Sequence, residues 1–173
     1  MFLINQNEYI SRCITKHGNL YDYSITNYTI GRENVEVICD KHGIFEQNAQ
    51  FHMYGGNCPR CNMSKGELSI RNFLLDNDII FTEQKKYDDC IHKSHLPFDF
   101  HLTDLNILIE FDGEQHYKPM NFFGGEVGYD ELKFRDSIKD NYCIVNNIKL
   151  IRIPYWNINN ISEILTEELG NYV

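Results

Sequence analysis

LPFDFHLTDLNILIEFDGEQHY, residues 96–117, alternates apolar and polar side chains along two runs separated by Thr103-Asp104. That period predicts two short strands joined as a hairpin. In the first run Phe98, Phe100 and Leu102 share one face, leaving Asp99 and His101 on the other. In the second, Ile107, Ile109 and Phe111 share a face, and Leu108, Glu110 and Asp112 share the opposite one, because successive strand side chains alternate sides. Pairing the runs brings Asp99 to the same patch as Glu110 and Asp112. Three carboxylates on an otherwise apolar hairpin repel one another unless a cation sits between them. The plain alternative is a solvated turn, since Asp112-Gly113 and Thr103-Asp104 are both good turn dipeptides.

Outward from this stretch the pattern is regular. SKGELSIRNFLLDND, residues 64–78, is predicted helical, with Ser64 as N-cap and Glu67 three residues on as in a capping box. A strand is expected over 79–84, a polar loop over 86–95, and a flexible Gly-rich loop over 122–128. A long helix over 130–146, a last strand over 149–153 and an acidic helix over 160–169 complete the chain. From residue 64 the order is helix, three strands, helix, strand, an α/β (α+β) core. The third strand, long helix and fourth strand form a right-handed crossover, so that strand pair is expected parallel in a mixed four-stranded sheet with a helix on each side.

Before residue 64 the chain reads differently. A short helix over 6–18 stops at Gly18, a tyrosine-rich extended segment follows, and Val35, Val37 and Cys39 alternate as a strand. The stretch from Ile44 to Asn57 is expected to be a second strand or hairpin. Cys39-x2-His42, fifteen residues, then Cys58-x2-Cys61 is a four-ligand zinc pattern, in which each short-spaced pair presents two side chains to one tetrahedral ion. Knuckle, hairpin and helix start make a treble-clef-like module, so residues 1–63 are read as a zinc-binding module and 64–173 as the core. A structural zinc explains how so thin a core stays folded. Of the remaining candidates, His52 reads as a surface or packing residue, Cys90, His92 and His95 as a solvated loop, and Cys13 and Cys143 as core.

The 173 residues hold one full core plus a small module, and 13% aromatic and 24% charged residues exclude a disordered tail. A net charge of −9 is the wrong sign for coating nucleic acid by bulk electrostatics, though it leaves room for local basic grooves. Met1-Phe2-Leu3-Ile4 lacks the basic region and length of a secretory signal, and no apolar run approaches ~20 residues. The expectation is an intracellular protein with no membrane partner, whose six cysteines serve metal more than disulfides.

SKGE on a helix, LPFDF on one strand and NILIEFDGEQHY on the next resemble the PD-(D/E)XK nuclease superfamily, with closest likeness to its very-short-patch-repair-like and phage homing-endonuclease branches. HGNLYDYS, VEVICDKHGIFEQ and H-x5-CPRC resemble the zinc-binding module found beside such nucleases in phages and large viruses. The resemblance implies a restriction-endonuclease-like αβββαβ core that hydrolyses DNA with Mg²⁺ or Mn²⁺. Asp99 matches the first aspartate of the motif, Glu110 its (D/E), and Glu67 the helical glutamate that supports the metal in many members. At the motif lysine this chain has Asp112, which stands as a third metal ligand. Gln115, His116 and Lys139 are the candidates to replace the lysine. His116 is favoured, because the patch-repair branch uses histidine and a near-neutral pKa suits proton transfer.

The expected function is thus a metal-dependent DNA endonuclease whose zinc module helps hold the duplex. Arg60, Lys65, Arg71, Lys85 and Lys86 are candidate phosphate contacts. Tyr21, Tyr23 and Tyr28 read as core before they read as base contacts. Two alternatives stay open: a nucleic-acid-binding protein with an inactive nuclease fold, and a zinc-stabilised interaction domain. A homodimer is compatible with the sequence, and a monomer with one site would nick.

Overall fold

The computed structural model describes residues 4–172, and the chain divides into two compact units, Met1–Met63 and Ser64–Val173. Of the apolar start, residues 1–3 lie outside the described residues, while Ile4 packs against the core of the first unit. No helix among the described residues is long and apolar enough to cross a membrane.

In the first unit, α1 (Gln6–His17) begins at Asn5, whose side chain accepts the Glu8 amide, and it stops at Gly18. Tyr9 and Cys13, one turn apart, are fully buried on its inner face. β1 (Tyr21–Asp22), β2 (Asn34–Cys39) and β3 (Gly43–Asn48) form an antiparallel sheet in that order. β2 buries Val35, Val37 and Cys39 on alternate positions. After Asn48 the expected extended segment is instead a helix, α2 (Ala49–Met53), capped by the Asn48 side chain. Helical spacing turns Ala49 and His52 inward together, whereas a strand would put them on opposite faces. Tyr21 and Tyr23 are buried and Tyr28 stacks on Tyr9 with 4.3 Å between ring centroids, so these tyrosines are core.

His52 is wholly interior. It stacks on His17 at 4.4 Å, its Nδ1 donates to the Gly56 carbonyl at 2.9 Å, and its Nε2 accepts the Tyr23 hydroxyl at 3.0 Å. Burial, with His17 beside it, pushes its pKa down to about 4.

The second unit opens with α3 (Lys65–Asp76), where Ser64 and Glu67 form the full reciprocal capping box. β4 (Thr82–Lys85) follows. The segment expected as a polar loop then folds into a small hairpin, β5 (Ile91–His92) with β6 (Ser94–His95). Cys90 there is fully buried rather than solvated, because it joins Leu96, Phe98, Leu108 and Cys143 in one apolar cluster. β7 (Phe98–Leu102) and β8 (Ile107–Asp112) are the predicted hairpin, joined by a 3₁₀ turn at Thr103–Leu105. α4 (Gly125–Val145) starts inside the stretch expected to be a flexible loop. The reason is close packing: a Cβ on Gly128 would come within 1.8 Å of the Phe123 carbonyl oxygen, so this glycine serves close approach more than mobility. β9 (Lys149–Pro154) and α5 (Ile161–Leu169) close the chain.

The mixed sheet has the order β4-β7-β8-β9, antiparallel except for the parallel β8–β9 pair that α4 connects. One face packs Phe100, Leu102, Ile109 and Ile151 against Ile70 and Leu74 of α3 and Leu165 of α5. The other packs Leu108 and Leu150 against Ile138, Tyr142 and Cys143 of α4. The strict alternation expected of β7 fails at one place. Phe98 joins the α4 face, while Phe100 and Leu102 join the other. The backbone ladder between β7 and β8 ends at Phe100–Ile109, and the Asp99 carboxylate, not a backbone carbonyl, accepts the Phe111 amide at 2.9 Å. On the other side of β7, Gln84 of β4 has a left-handed φ of 52°. With the ladder interrupted at Asp99, the strand turns over.

α3 lies so close to β8 that a Cβ on Gly66 would meet the Phe111 ring at 2.2 Å. Gly66→Ala is expected to destabilise this unit by about 1–3 kcal/mol, the usual cost of forcing a methyl group into a packed core. Chemical denaturation measures it, and a change below about 0.5 kcal/mol contradicts the contact. For His52 the folded pKa lies below the unfolded value near 6.5, so the unfolded chain binds more protons between the two. Stability of the first unit therefore falls as pH drops from about 6.5 toward 4, and NMR titration of the His52 ring is expected to give a midpoint well below 6. An ordinary midpoint near 6.5 contradicts the buried neutral ring.

Candidate functional site

Two groups of side chains carry chemistry, one in each unit. In the first, Cys39 ends β2, His42 lies in the β2–β3 turn, and Cys58 caps and Cys61 lies within a 3₁₀ turn at Pro59–Asn62. The second pair thus sits on this short turn and not on the long helix start that was expected. The four donor atoms lie within 4.8 Å of one another. Cys39 Sγ is 3.7 Å from Cys61 Sγ, and His42 Nδ1 is 3.6 Å from Cys39 Sγ, 3.6 Å from Cys58 Sγ and 3.4 Å from Cys61 Sγ. Zinc bonds of about 2.3 Å to sulfur and about 2.0–2.1 Å to nitrogen, opened to the tetrahedral angle, give edges near 3.8 and 3.6 Å. The observed edges match, so these residues form a site able to hold a metal ion such as zinc.

The electrostatics of the thiols favour a cation there. Burial raises Cys39, but the Lys41 and His42 amides and the neighbouring thiols overcome it and hold its pKa down. Cys61 is pushed up to about 11 by burial and by Cys39 beside it, since adjacent thiolates repel. A divalent cation reverses that penalty. Around the ligands, Tyr21 Oη accepts the Cys58 amide at 2.9 Å and Arg60 donates to the His42 carbonyl at 3.0 Å. Arg60 is thereby spent on the turn.

The second group lines a cavity of about 370 Å³ at the point where β7 and β8 part. Glu67, Asp99, Glu110, Gln115, His116 and Lys139 all border it. The Asp99 amide is 3.3 Å from Glu110 Oε1, Asp99 Oδ1 accepts Gln84 at 3.3 Å, and Oδ2 accepts the Phe111 amide. Lys139, reaching across from α4, donates to both Glu110 oxygens at 2.8 Å. Glu110 is only 4% exposed, and burial, aided by Asp99, pushes its pKa up to about 7 against the pull of Lys139. Asp99 is raised as well, by burial first and by Glu67 among its neighbours. Glu67 itself accepts the Ser64 amide at 2.6 Å in its capping box while bordering the cavity.

Asp112 is a correction. It lies on the α4 face of β8 as expected, but its carboxylate does not border the cavity with Asp99 and Glu110. Arg152, on the neighbouring strand, takes Asp112 Oδ1 at 2.7 Å and Asp140 at 2.9 Å, and lies 3.5 Å from Asp136. Tyr117 donates to the other Asp112 oxygen at 3.3 Å. Among the described residues, the cysteine–histidine set alone brings three or more ligand atoms together, so no Asp99–Glu110–Asp112 triad forms. A guanidinium attracts a carboxylate more strongly than two like charges tolerate it. His116 Nδ1 pairs with Asp136 Oδ2 at 2.9 Å and lies 3.8 Å from Asp112. Burial raises Asp136, yet His116 and Arg152 together bring its pKa below the ordinary value.

Of the proposed phosphate contacts, Arg71 is paired with Glu83 at 2.8 Å, Lys85 lies over the Tyr87 ring at 5.1 Å, and Lys65 and Lys86 are exposed. The role of Arg152 was missed. Its signal was one arginine set between the apolar Leu150, Ile151 and Ile153, which needs acidic partners when buried.

A family described as "Protein of unknown function (DUF723)" matches residues 3–62, a span confined to the first unit and containing all four cysteine–histidine ligands. The chain is 32% identical over 111 residues to "Uncharacterized protein 307L" of Invertebrate iridescent virus 6, covering 53% of this chain and 56% of the relative. It is 36% identical over 56 residues to "Uncharacterized protein R47" of Acanthamoeba polyphaga mimivirus, covering 32% of this chain and 28% of the relative. The chain thus spans about half the length, or less, of these curated relatives. No solved structure matches.

Purified protein is expected to carry one equivalent of zinc, and Cys58→Ser to release it and lower the melting temperature of the first unit. Metal analysis with thermal melts checks this: absence of equimolar zinc, or a mutant that melts like the wild type, refutes the site.

Proposed function

We propose that the chain is a divalent-metal-dependent DNA endonuclease with a restriction-endonuclease-like core, and that its first unit is a treble-clef-like zinc module that helps hold the duplex. The observation that carries this reading is the meeting of Asp99, Glu110 and Lys139 at one cavity, with the ammonium 2.8 Å from both Glu110 oxygens. These are the residue types of the PD-(D/E)XK motif. The lysine missing from the strand has a counterpart on α4. The Asp99 and Glu110 carboxyls, raised first by burial, fit a cation, because a positive charge at the cavity would stabilise the charged forms that burial disfavours.

Asp99 and Glu110 would hold Mg²⁺ or Mn²⁺, both oxygen-seeking ions. Such an ion supplies Lewis-acid polarisation of the phosphodiester and activation of water. Glu67, at the same cavity, would orient a metal-bound water. Lys139 offers a fixed positive charge to the oxygens on which charge develops. His116 pairs its Nδ1 with Asp136, and with the proton on that nitrogen Nε2 would take or return a proton at the cavity its ring borders. Asp112 serves Arg152 rather than the metal in this scheme. The viral origin of both relatives supports action inside an infected cell.

Supercoiled-plasmid nicking with Mg²⁺ or Mn²⁺ tests the reading, and a wild-type chain that leaves the plasmid intact with either metal refutes it. Lys139→Ala is expected to cut single-turnover nicking on the order of 10²–10³-fold, the usual cost of one preorganised electrostatic contact. His116→Ala is expected to cost about 10²-fold, as loss of a general acid–base group does. Wild-type rates in both variants contradict the assignment.

A further inference from the structure

We propose that Arg135 is the residue through which the acidic cavity grips its substrate, binding a backbone phosphate of the DNA next to the one that is cut. The inference rests on the nuclease reading and adds to it the cation that recognises the polyanion. Four carboxylates border the cavity, those of Glu67, Asp99, Glu110 and Asp136, and such a lining repels DNA unless cations stand at its mouth. The chain as a whole carries −9, so attraction has to be local.

α4 supplies two cations to this cavity, Arg135 and Lys139, one helical turn apart. Their surroundings differ. Lys139 is only 12% exposed and is committed to Glu110. Arg152, behind the cavity, is committed to Asp112, Asp136 and Asp140. Arg135 is exposed, and among the described residues it makes no ion pair and no side-chain hydrogen bond. Its natural helix partner one turn back, Glu131, is taken by Lys93 at 2.6 Å. Its sequence neighbour Asp136 faces His116 and Arg152. The side chains around Arg135 thus leave its donors unused. A guanidinium left free at the rim of a carboxylate-lined cavity matches a phosphate, whose oxygens accept its planar fork of donors.

The test is fluorescence anisotropy of a labelled short DNA duplex with the full chain in Ca²⁺, across a series of salt concentrations. Arg135→Gln is expected to raise Kd about tenfold near 0.1 M salt and to flatten the dependence of log K on log salt by about 0.9, the signature of one lost phosphate contact. Arg135→Lys is expected to keep the salt slope. Lys133→Gln, an exposed charge of the same helix outside the cavity, is expected to leave Kd within about twofold. Mn²⁺ affinity, measured by calorimetry without DNA, should be unchanged in Arg135→Gln. An unchanged Kd and slope in Arg135→Gln, or an equal loss in Lys133→Gln, overturns the inference. If the wild-type chain nicks plasmid while Arg135→Gln binds normally, the inference alone fails. If the wild-type chain neither binds nor nicks, the nuclease reading fails and takes the inference with it.

Discussion

A carboxylate buried under a helix needs a cation, and at Glu110 the cation is Lys139. Glu110 points into the α4 face of the sheet beside Leu108 and Phe98, where its charge is costly. Lys139 meets both oxygens at 2.8 Å and lays its ammonium 5.0 Å from the centre of the Phe98 ring. Even so the carboxyl is pushed up to about 7. The contact joins β8 to α4 across 29 residues of chain and sets which face of that helix meets the sheet. Asp99 inserts its carboxylate where a backbone carbonyl would stand, so both acidic groups face the cavity.

Behind them a separate charge group is organised by Arg152. One guanidinium gathers Asp112, Asp136 and Asp140, and the parallel register sets it opposite Glu110. Asp112 and Asp136 are its buried partners and Asp140 a half-exposed one, and removing a buried partner leaves an unpaired charge, which costs on the order of 3–5 kcal/mol. The arrangement divides the acidic residues of this region in two. Asp99 and Glu110 remain open to the cavity, whereas Asp112 is engaged from behind. His116 bridges the groups, with its Nδ1 on Asp136 and its ring at the cavity.

The first unit rests on a different constraint. Its core is built from tyrosines, small residues and cysteines, with little aliphatic bulk. Three thiols and an imidazole brought to tetrahedral spacing form a site able to hold a metal ion, and an ion bound there would add stability because the free energy of metal binding is available only to the folded chain. His52, stacked on His17 and bonded to the Gly56 carbonyl, fixes the segment that leads into Cys58. The family match covers this unit, and both similar proteins are viral.

Local patterns in the sequence determined much of this protein. The cysteine–histidine cluster was legible because each pair lies within one turn of chain, where spacing alone fixes geometry. Ser64 and Glu67 were legible as a capping box for the same reason, and the period of two over 107–112 gave the faces of β8. Tertiary structure decided what depends on distant partners. Alternation predicts a face only while the ladder continues, so the turning of Phe98 followed from the interruption at Asp99. The direction of Asp112 was set by Arg152, 40 residues away, and the cation that meets Glu110 is an α4 residue 29 positions on. Ionic partners are chosen by proximity in the folded chain and by the cost of burying charge, and neither is written in the order of residues.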